Sequence, residues 1–438
     1  RYRSSAASDV YKRQVHHSSV STEERAAAEE MFHGGQSAAI VCTSTLELGI
    51  DVGDLDRVLQ VDAPDTVGSF LQRMGRTGRR AGQAANTTFL ATDISAVLQA
   101  MALIRLARRG FVESVRLDTR RWPILVHQLL AMALAKGGVS AEDAWTLLSR
   151  VPDLSGITRA EYDTIIAHMR AEDFLFETGG VLAMGQAAEK AYGRYNFMEL
   201  YAVFSSPRRY TVATLSGRTL GSLDQDFVDR LENSSCFLLA GRAWQVVLIH
   251  HRDRLISVQP AGWGIEPSWG GFVPQFFSHA LCQEMRTILK DTDEPAWLHP
   301  STLPLLRERR EQLAEILGQP NSIIWEPGDI RWWTFAGGRI NATLQLALKH
   351  LGSWQVTADN LHVRVRSEAT AHREFLDARR RLRDPAFWTD TAFWAEAQAT
   401  LPSWRLSKFQ RALPDWAQQE MLSRFLLDLE GTARFCIR

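Results

Sequence analysis

From Ser37 to about Leu106 the chain alternates two kinds of segment, and that alternation limits the folds open to it. Short apolar runs (Ala39-Ile40-Val41, Val58 to Val61 and the NTTFLATD stretch) are separated by a polar loop and a helix-like segment, and a long helix from Ile94 to Arg109 follows. Strands with helical connections predict a parallel α/β sheet, because parallel neighbours need a crossover that packs back on the sheet. Helices on both faces should leave such strands apolar throughout. Loops that carry chemistry are expected outside the carboxyl ends of the strands.

Two loops in this register are rich in such residues. TSTLELGID (Thr43 to Asp51) runs from a strand into a polar turn that ends on a carboxylate, and QRMGRTGR (Gln72 to Arg79) follows about 20 residues later. Arg73, Arg76, Arg79 and Arg80 crowd one short segment, with Gly75 and Gly78 between them. Guanidiniums packed this closely repel one another unless an anion lies between them, and a polyphosphate matches their planar donor forks. A basic loop facing only water is the alternative reading of the arginines taken alone.

Taken as a pair and in this order, the two loops resemble motifs V and VI of superfamily 2 helicases, in the wording of the Lhr (large helicase-related) group. The resemblance implies that Arg76 and Arg79 reach the γ-phosphate of ATP and that Gln72 helps position that phosphate or its water. It implies that Asp51, with Gly49 and Gly75 beside the nucleotide, lies near the ribose. Thr43 and Ser44 would hold a nucleic-acid phosphate. Arg73 and Arg80 are left open between phosphate contact and a structural ion pair. The chain has no GxxxxGK[ST] loop and no DExH strand. The resemblance places both, with the bound Mg2+, in a first RecA-like domain upstream of Val15, so the polypeptide by itself is expected not to hydrolyse ATP.

At 438 residues the chain has room for about three domains or more. Its formal charge is zero, so attraction to nucleic acid has to come from local patches. Cys42, Cys236, Cys282 and Cys436 are scattered, without a CxxC pair, which argues against a structural zinc or a disulfide framework and suits a reducing, cytoplasmic setting. His16 and His17 lack further ligands at metal-binding spacing, so no metal site is expected.

The expected organisation is α/β plus α+β and multidomain. Residues 1–14 lack apolar periodicity and read as a non-native leader. Residues 15–108 read as the second RecA-like domain, opening with a helix capped by the Ser21/Glu24 box. Residues 109–200 hold a linker and three amphipathic helices (Leu125 to Ala135, Ala141 to Ser149, Arg159 to Met169), then a hairpin turning on Gly179-Gly180, which together describe a winged helix. The acidic third helix (Glu161, Asp163) makes a poor groove reader and suggests a packing role.

Residues 201–300 follow β grammar, with strands expected at Tyr210 to Leu215, Cys236 to Ala240, Trp244 to Ile249 and Leu255 to Gln259, and suggest a barrel-like domain. This β-rich stretch follows the Lhr pattern where Ski2-like relatives would continue in helices. It contains Trp269, in a Pro-Ser-Trp-Gly-Gly turn, which suits either base stacking or turn packing. Residues 301–438 mix helices and strands. Their arginine runs read as solvated ion-pair faces, and WWTFAGGRIN (Trp332 to Asn341) has no role derivable from sequence.

The partners implied by the resemblance are single-stranded DNA, RNA:DNA hybrids and the upstream RecA-like domain. A competing reading is an interaction module without motor function that keeps a relic RecA fold. A repair helicase with a C-terminal zinc cluster is a third reading, and the scattered cysteines argue against it.

Overall fold

The computed structural model describes residues 12–16, 30, 38–43, 47, 55–79, 82–115, 117–135, 137–192, 200, 209–228, 231, 235–239, 242–251, 253–261, 275–319, 322–367, 372–402, 404 and 406–437. The chain divides into two compact units, one of residues 1–112 with 207–274 and one of residues 113–206 with 275–438.

The first unit opens with β1 (Lys12–His16) and β2 (Ala38–Cys42), paired in parallel with Lys12 opposite Ala38. Residues 12–14, set apart above with the leader, are thus the first three residues of β1. A second parallel pair joins β3 (Val58–Val61) to β4 (Thr87–Leu90), with α1 (Val67–Met74) between them in sequence and α2 (Ile94–Arg108) after them. The order expected from sequence therefore holds, but the expectation of strands buried on both faces does not. Leu59, Val61 and Leu90 are each at least half exposed, as is Val41 of β2. Side chains alternate across a strand, so one face of β3 and β4 carries Gln60 and Phe89 toward α1 while the other carries Leu59, Val61 and Leu90 toward solvent. α1 covers only one face.

The second unit begins with α3 (Trp122–Ala135), α4 (Ala141–Leu148) and α5 (Arg159–Ala171). Ser140 caps α4, and Thr158 and Glu161 form a reciprocal capping box on α5, so both starts are written locally. β5 (Leu175–Thr178) and β6 (Val181–Met184) form the expected hairpin, and α6 (Gln186–Tyr192) follows. Gly179 and Gly180 both take positive φ (57° and 78°), as a two-residue turn matching strand twist requires.

The remainder of the first unit is a five-stranded sheet of β7 (Arg209–Thr214), β8 (Thr219–Asp224), β9 (Cys236–Leu239), β10 (Arg242–His250) and β11 (Leu255–Pro260), in the order β8-β7-β11-β10-β9. Only β7 and β11 run parallel. Among the described residues the expected β-rich segment is thus a single sheet with β8 and β9 at its edges. One face buries Val212, Leu223, Phe237, Trp244, Ile256 and Val258.

The second unit resumes with α7 (His279–Lys290) and α8 (Leu303–Gly318). An antiparallel sheet in the order β12-β13-β15-β14 follows, built from β12 (Ile323–Glu326), β13 (Asp329–Trp332), β14 (Gln355–Ala358) and β15 (Val363–Arg366), with α9 (Gly338–Leu351) between β13 and β14. α10 (His372–Leu382), α11 (Thr391–Ala399), α12 (Asp415–Leu426) and α13 (Leu429–Ile437) complete it. α12 and α13 are separate helices because the chain turns extended at Leu427 and the Asp428 carboxylate accepts from the Gly431 N–H.

WWTFAGGRIN is a buried turn into α9. Thr334 donates to Asn341 Oδ1 (2.6 Å), and Asn341 donates to the Asp359 carbonyl (2.8 Å). A Cβ on Gly337 (φ 93°) would meet the Phe277 carbonyl oxygen at 2.7 Å. Within the arginine runs Arg307 pairs with Glu294 and Arg380 with Asp377 at the surface, Arg310 pairs with Asp291 with its side chain largely covered, and Arg379 and Arg381 lie over the rings of Trp332 (4.8 Å) and Phe387 (5.5 Å).

Two segments far apart in sequence share one core here. Trp122, Leu129, Tyr162, Ile165 and Met169 pack with Phe409, Ala412, Leu413 and Ala417. Arg120 sits beside that core, donating to both oxygens of Glu161 (2.6 and 3.0 Å) and both of Glu420 (2.6 and 2.9 Å). Among the described residues no helix is long and apolar enough to cross a membrane.

Candidate active site

The arginine loop is built on the end of α1. The Thr66 hydroxyl accepts from the Ser69 N–H (3.1 Å) and starts the helix, and Phe70 packs on Phe89 of β4 with ring centroids 5.5 Å apart. The helix closes at Gly75, whose N–H donates to the Leu71 carbonyl (2.8 Å). Two tighter turns follow, from Arg76 to the Arg73 carbonyl and from Thr77 to the Met74 carbonyl. Thr77 is buried, and its hydroxyl donates to the Met74 carbonyl while accepting from the Asn86 N–H, both at 2.9 Å.

Gly78 then takes φ 68°, and a Cβ there would lie 2.6 Å from the Ala85 nitrogen. Both the dihedral and the close backbone demand glycine. Gly78→Ala is therefore expected to destabilise the first unit by about 2–3 kcal/mol. Urea unfolding of the variant checks this, and an unchanged midpoint would contradict it.

Three contacts tie this loop to the preceding one. The Leu55 N–H donates to the Arg76 carbonyl (3.0 Å), and Leu55 and Thr77 form a parallel bridge. Arg76 Nη2 donates to the backbone carbonyl of Glu47 (2.6 Å). Arg73 pairs with the Glu47 carboxylate through Nε (3.0 Å) and Nη2 (2.9 Å), and its Nη1 donates to Gln60 Oε1 (2.7 Å). The Glu47 side chain is only 11% exposed, so the pair is shielded from water on its acidic side. Arg73 is thus a structural ion pair, one of the two roles its sequence left open.

Gln72, Gly75 and Arg79 are exposed and Arg76 is half-buried. Arg79 Nε donates to the Gly75 carbonyl (3.0 Å). Burial raises the pKa of nearby Asp65, and the Arg73 charge opposes that rise. Thr43 occupies an exposed bend after β2. Ser44, Gly49, Asp51, Arg80 and Trp269 lie outside the described residues. No group of three or more His, Cys, Asp or Glu side chains placed to hold a metal ion occurs among the described residues.

Sequence reasoning missed Glu47 and Gln60. Glu47 was visible as an acid between two leucines in the loop before an arginine cluster, whereas Gln60 sat unremarked among apolar strand neighbours.

Comparison with known proteins agrees with this geometry. The family described as the helicase conserved C-terminal domain matches residues 4–81, which hold both loops. Over 276 residues the chain is 28% identical to the ATP-dependent helicase Lhr-Core protein 2 of Thermococcus barophilus, covering 61% of this chain and 31% of that protein. Over 279 residues it is 26% identical to the ATP-dependent helicase Lhr-Core of Saccharolobus solfataricus, covering 62% and 31%. The chain is similar to the Lhr-type helicases.

The helicase Lhr of Mycobacterium smegmatis, solved bound to single-stranded DNA and AMP-PNP, matches 96% of this chain and 58% of its own, with a TM-score of 0.54 at 17% identity. That likeness is one of fold. The chain spans about a third of the length of the curated relatives it matches.

Proposed function

We propose that this chain supplies the arginine-bearing half of the ATP site, and the strand-guiding part, of an ATP-dependent helicase that moves 3′→5′ on single-stranded DNA and opens DNA or RNA:DNA duplexes. The observation that carries the reading is the junction of the two loops. Arg76 and Arg79 extend from a turn whose backbone accepts from the Leu55 N–H, and the Arg76 guanidinium itself donates to the Glu47 carbonyl. Guanidiniums held in advance can neutralise charge building on a transferring phosphoryl group without reorganising at the moment of reaction.

In this reading Arg76 and Arg79 face the γ-phosphate of ATP, and Gln72 orients that phosphate or its attacking water. Asp51, Gly49 and Gly75 border the nucleotide. Thr43 and Ser44 hold a phosphate of the DNA track, and Trp269 stacks on a base. Mg2+ and the triphosphate are gripped chiefly by the upstream RecA-like domain, and residues 15–108 form its partner domain. Helices α3–α5 with the β5–β6 hairpin act as a winged helix that packs instead of reading sequence. Arg120 and Arg159 hold the carboxylates of α5, Glu161 and Asp163, which supports that role.

Hydrolysis measured with and without the upstream residues tests the reading. The chain alone is expected to turn over no ATP, and the longer polypeptide, carrying a GKT-type loop and a DExH box, to show DNA-stimulated turnover. DNA-stimulated hydrolysis by the chain alone, or an upstream region without those two motifs, would overturn it and favour a non-motor interaction module.

A further inference from the structure

The four-stranded sheet of the second unit has one face in the core and one outside it. Ile330, Trp332, Val356, Val363 and Val365 belong to the core. Alternation along a strand therefore turns Asp329, Arg331 and Trp333, and likewise His362, Arg364 and Arg366, to the other side. The register sets these residues in rows across β13 and β15, with Arg331 opposite Arg364 and Asp329 opposite Arg366. One step beyond the paired strands, the rings of Trp333 and His362 stack with centroids 5.0 Å apart and planes at 25°.

Two features of this outer face do nothing for folding. The first is its charge. Like charges directly opposite one another weaken a sheet, and here Arg331 faces Arg364. The Asp329 carboxylate is taken up by Arg364, whose Nε donates to both oxygens (2.8 and 2.9 Å), while Arg331 reaches Asp329 and Glu326 only at 3.6 and 3.8 Å. Arg331 Nε is buried without a hydrogen-bond partner. Arg366 is exposed, and among the described residues no carboxylate lies within ion-pair distance of it. The second feature is a cluster of rings in the next row. Trp333 stacks on the buried Phe335 (5.6 Å) and on His362, and the cluster reaches the surface at His362, whose side chain is 25% exposed. The Asp359 carboxylate, 2.8 Å from His362 Nδ1, fixes the orientation of that imidazole.

We propose that this sheet face is a further binding surface for single-stranded nucleic acid, built from residues other than those assigned to the track above, with Arg331, Arg364 and Arg366 on phosphates and His362 under a base. Rows two residues apart along a strand are separated by about 7 Å, so a ring row beside two guanidinium rows meets a chain that carries bases and phosphates together. An acidic peptide would match the guanidiniums and leave the ring without a counterpart. The surface requires no ATP hydrolysis, so it stands or falls independently of the function proposed above.

The test uses the full chain and a fluorescein-labelled oligothymidylate, with Kd read by anisotropy over a series of salt concentrations. Arg331→Gln combined with Arg366→Gln is expected to raise Kd about tenfold and to flatten the slope of log K against log salt by about 1.4, the share of two phosphate contacts on a single strand. His362→Ala is expected to raise Kd about fivefold with the slope unaltered, and His362→Phe to stay within about twofold of the parent, because the ring carries the stacking. An oligothymidylate bearing 5-iododeoxyuridine is expected, on irradiation, to crosslink to a peptide that contains His362. If the double variant does not fold in a thermal melt, Arg366→Gln alone serves, with a slope change of about 0.7. An unchanged Kd and slope in the arginine variant, a phenylalanine variant no better than alanine, or crosslinks confined to residues outside 329–366 would overturn the inference. So would a glutamate oligomer of equal charge that displaces the probe as well as unlabelled oligothymidylate does, since that result assigns the face to acidic peptides.

Discussion

In the longer polypeptide proposed above to hydrolyse ATP, Arg76→Ala should lower kcat by about 10³-fold while changing nucleotide affinity far less. Removing a guanidinium aimed at a transferring phosphoryl group costs that much because the charge it meets is largest in the transition state. The nucleotide itself is held mainly by residues outside this chain in the reading above, so binding should survive. Arg76 also has a structural contact, its hydrogen bond to the Glu47 carbonyl, and alanine removes both. Arg76→Lys separates the two roles. Lysine retains a positive charge but not the planar fork, so a loss nearly as deep as that of alanine points to the phosphoryl group. Single-turnover hydrolysis with saturating ATP measures the effect. Parental turnover in the alanine variant would remove the arginine from the chemistry.

Arg120→Met is expected to destabilise the second unit by about 3 kcal/mol, because it deprives two half-buried carboxylates, Glu161 and Glu420, of their shared partner. For a unit of this size that corresponds to a fall in Tm of about 6–10 °C. The Trp122 indole donates to the same Glu420 carboxylate (3.1 Å), and a thermal melt followed by circular dichroism measures the change.

The effect carries a pH signature with a definite sign. Hydrogen bonding to Arg120 holds the Glu161 pKa down at about 2. A carboxyl whose folded pKa is depressed contributes stability that is complete above its ordinary pKa and is lost as pH falls toward the folded value. The gap between parent and Arg120→Met should thus be widest above about pH 4.5 and close between there and about pH 2. A gap that stays constant across that window would mean the cost comes from packing on Trp122, over which the Arg120 guanidinium sits 4.9 Å from the ring centroid.

Local signals carried much of this architecture. The Ser140 cap, the Thr158/Glu161 box and the Gly179-Gly180 turn each fix a boundary through contacts within a few residues, and the elements there follow the sequence closely. β8 did not stand out, because TLGSLD is short, is interrupted by glycine and gains its strand character only by pairing with β7. The exposed face of β3 and β4 was misjudged for a related reason: an apolar strand declares that it can be covered, not what covers it.

At the candidate site the arginines and glycines were legible as a pattern. The Glu47–Arg73 pair was not, since its partners lie 26 residues apart and nothing local to either one names the other. The pairing of Arg120 with Glu420 spans 300 residues and is invisible in the same way.

That separation bears on how the protein is made. Tyr192 closes the helical segment against the carbonyl of Lys408, 216 residues later. At common rates of translation those residues take roughly 10–40 s to emerge. Until then the apolar side of α3 and α5 that will receive Phe409 and Leu413 has no lid, so the nascent chain must shelter it from neighbours in the interval. The β7–β11 sheet, whose core is complete within residues 210–258, can close on its own while the earlier helices are still waiting.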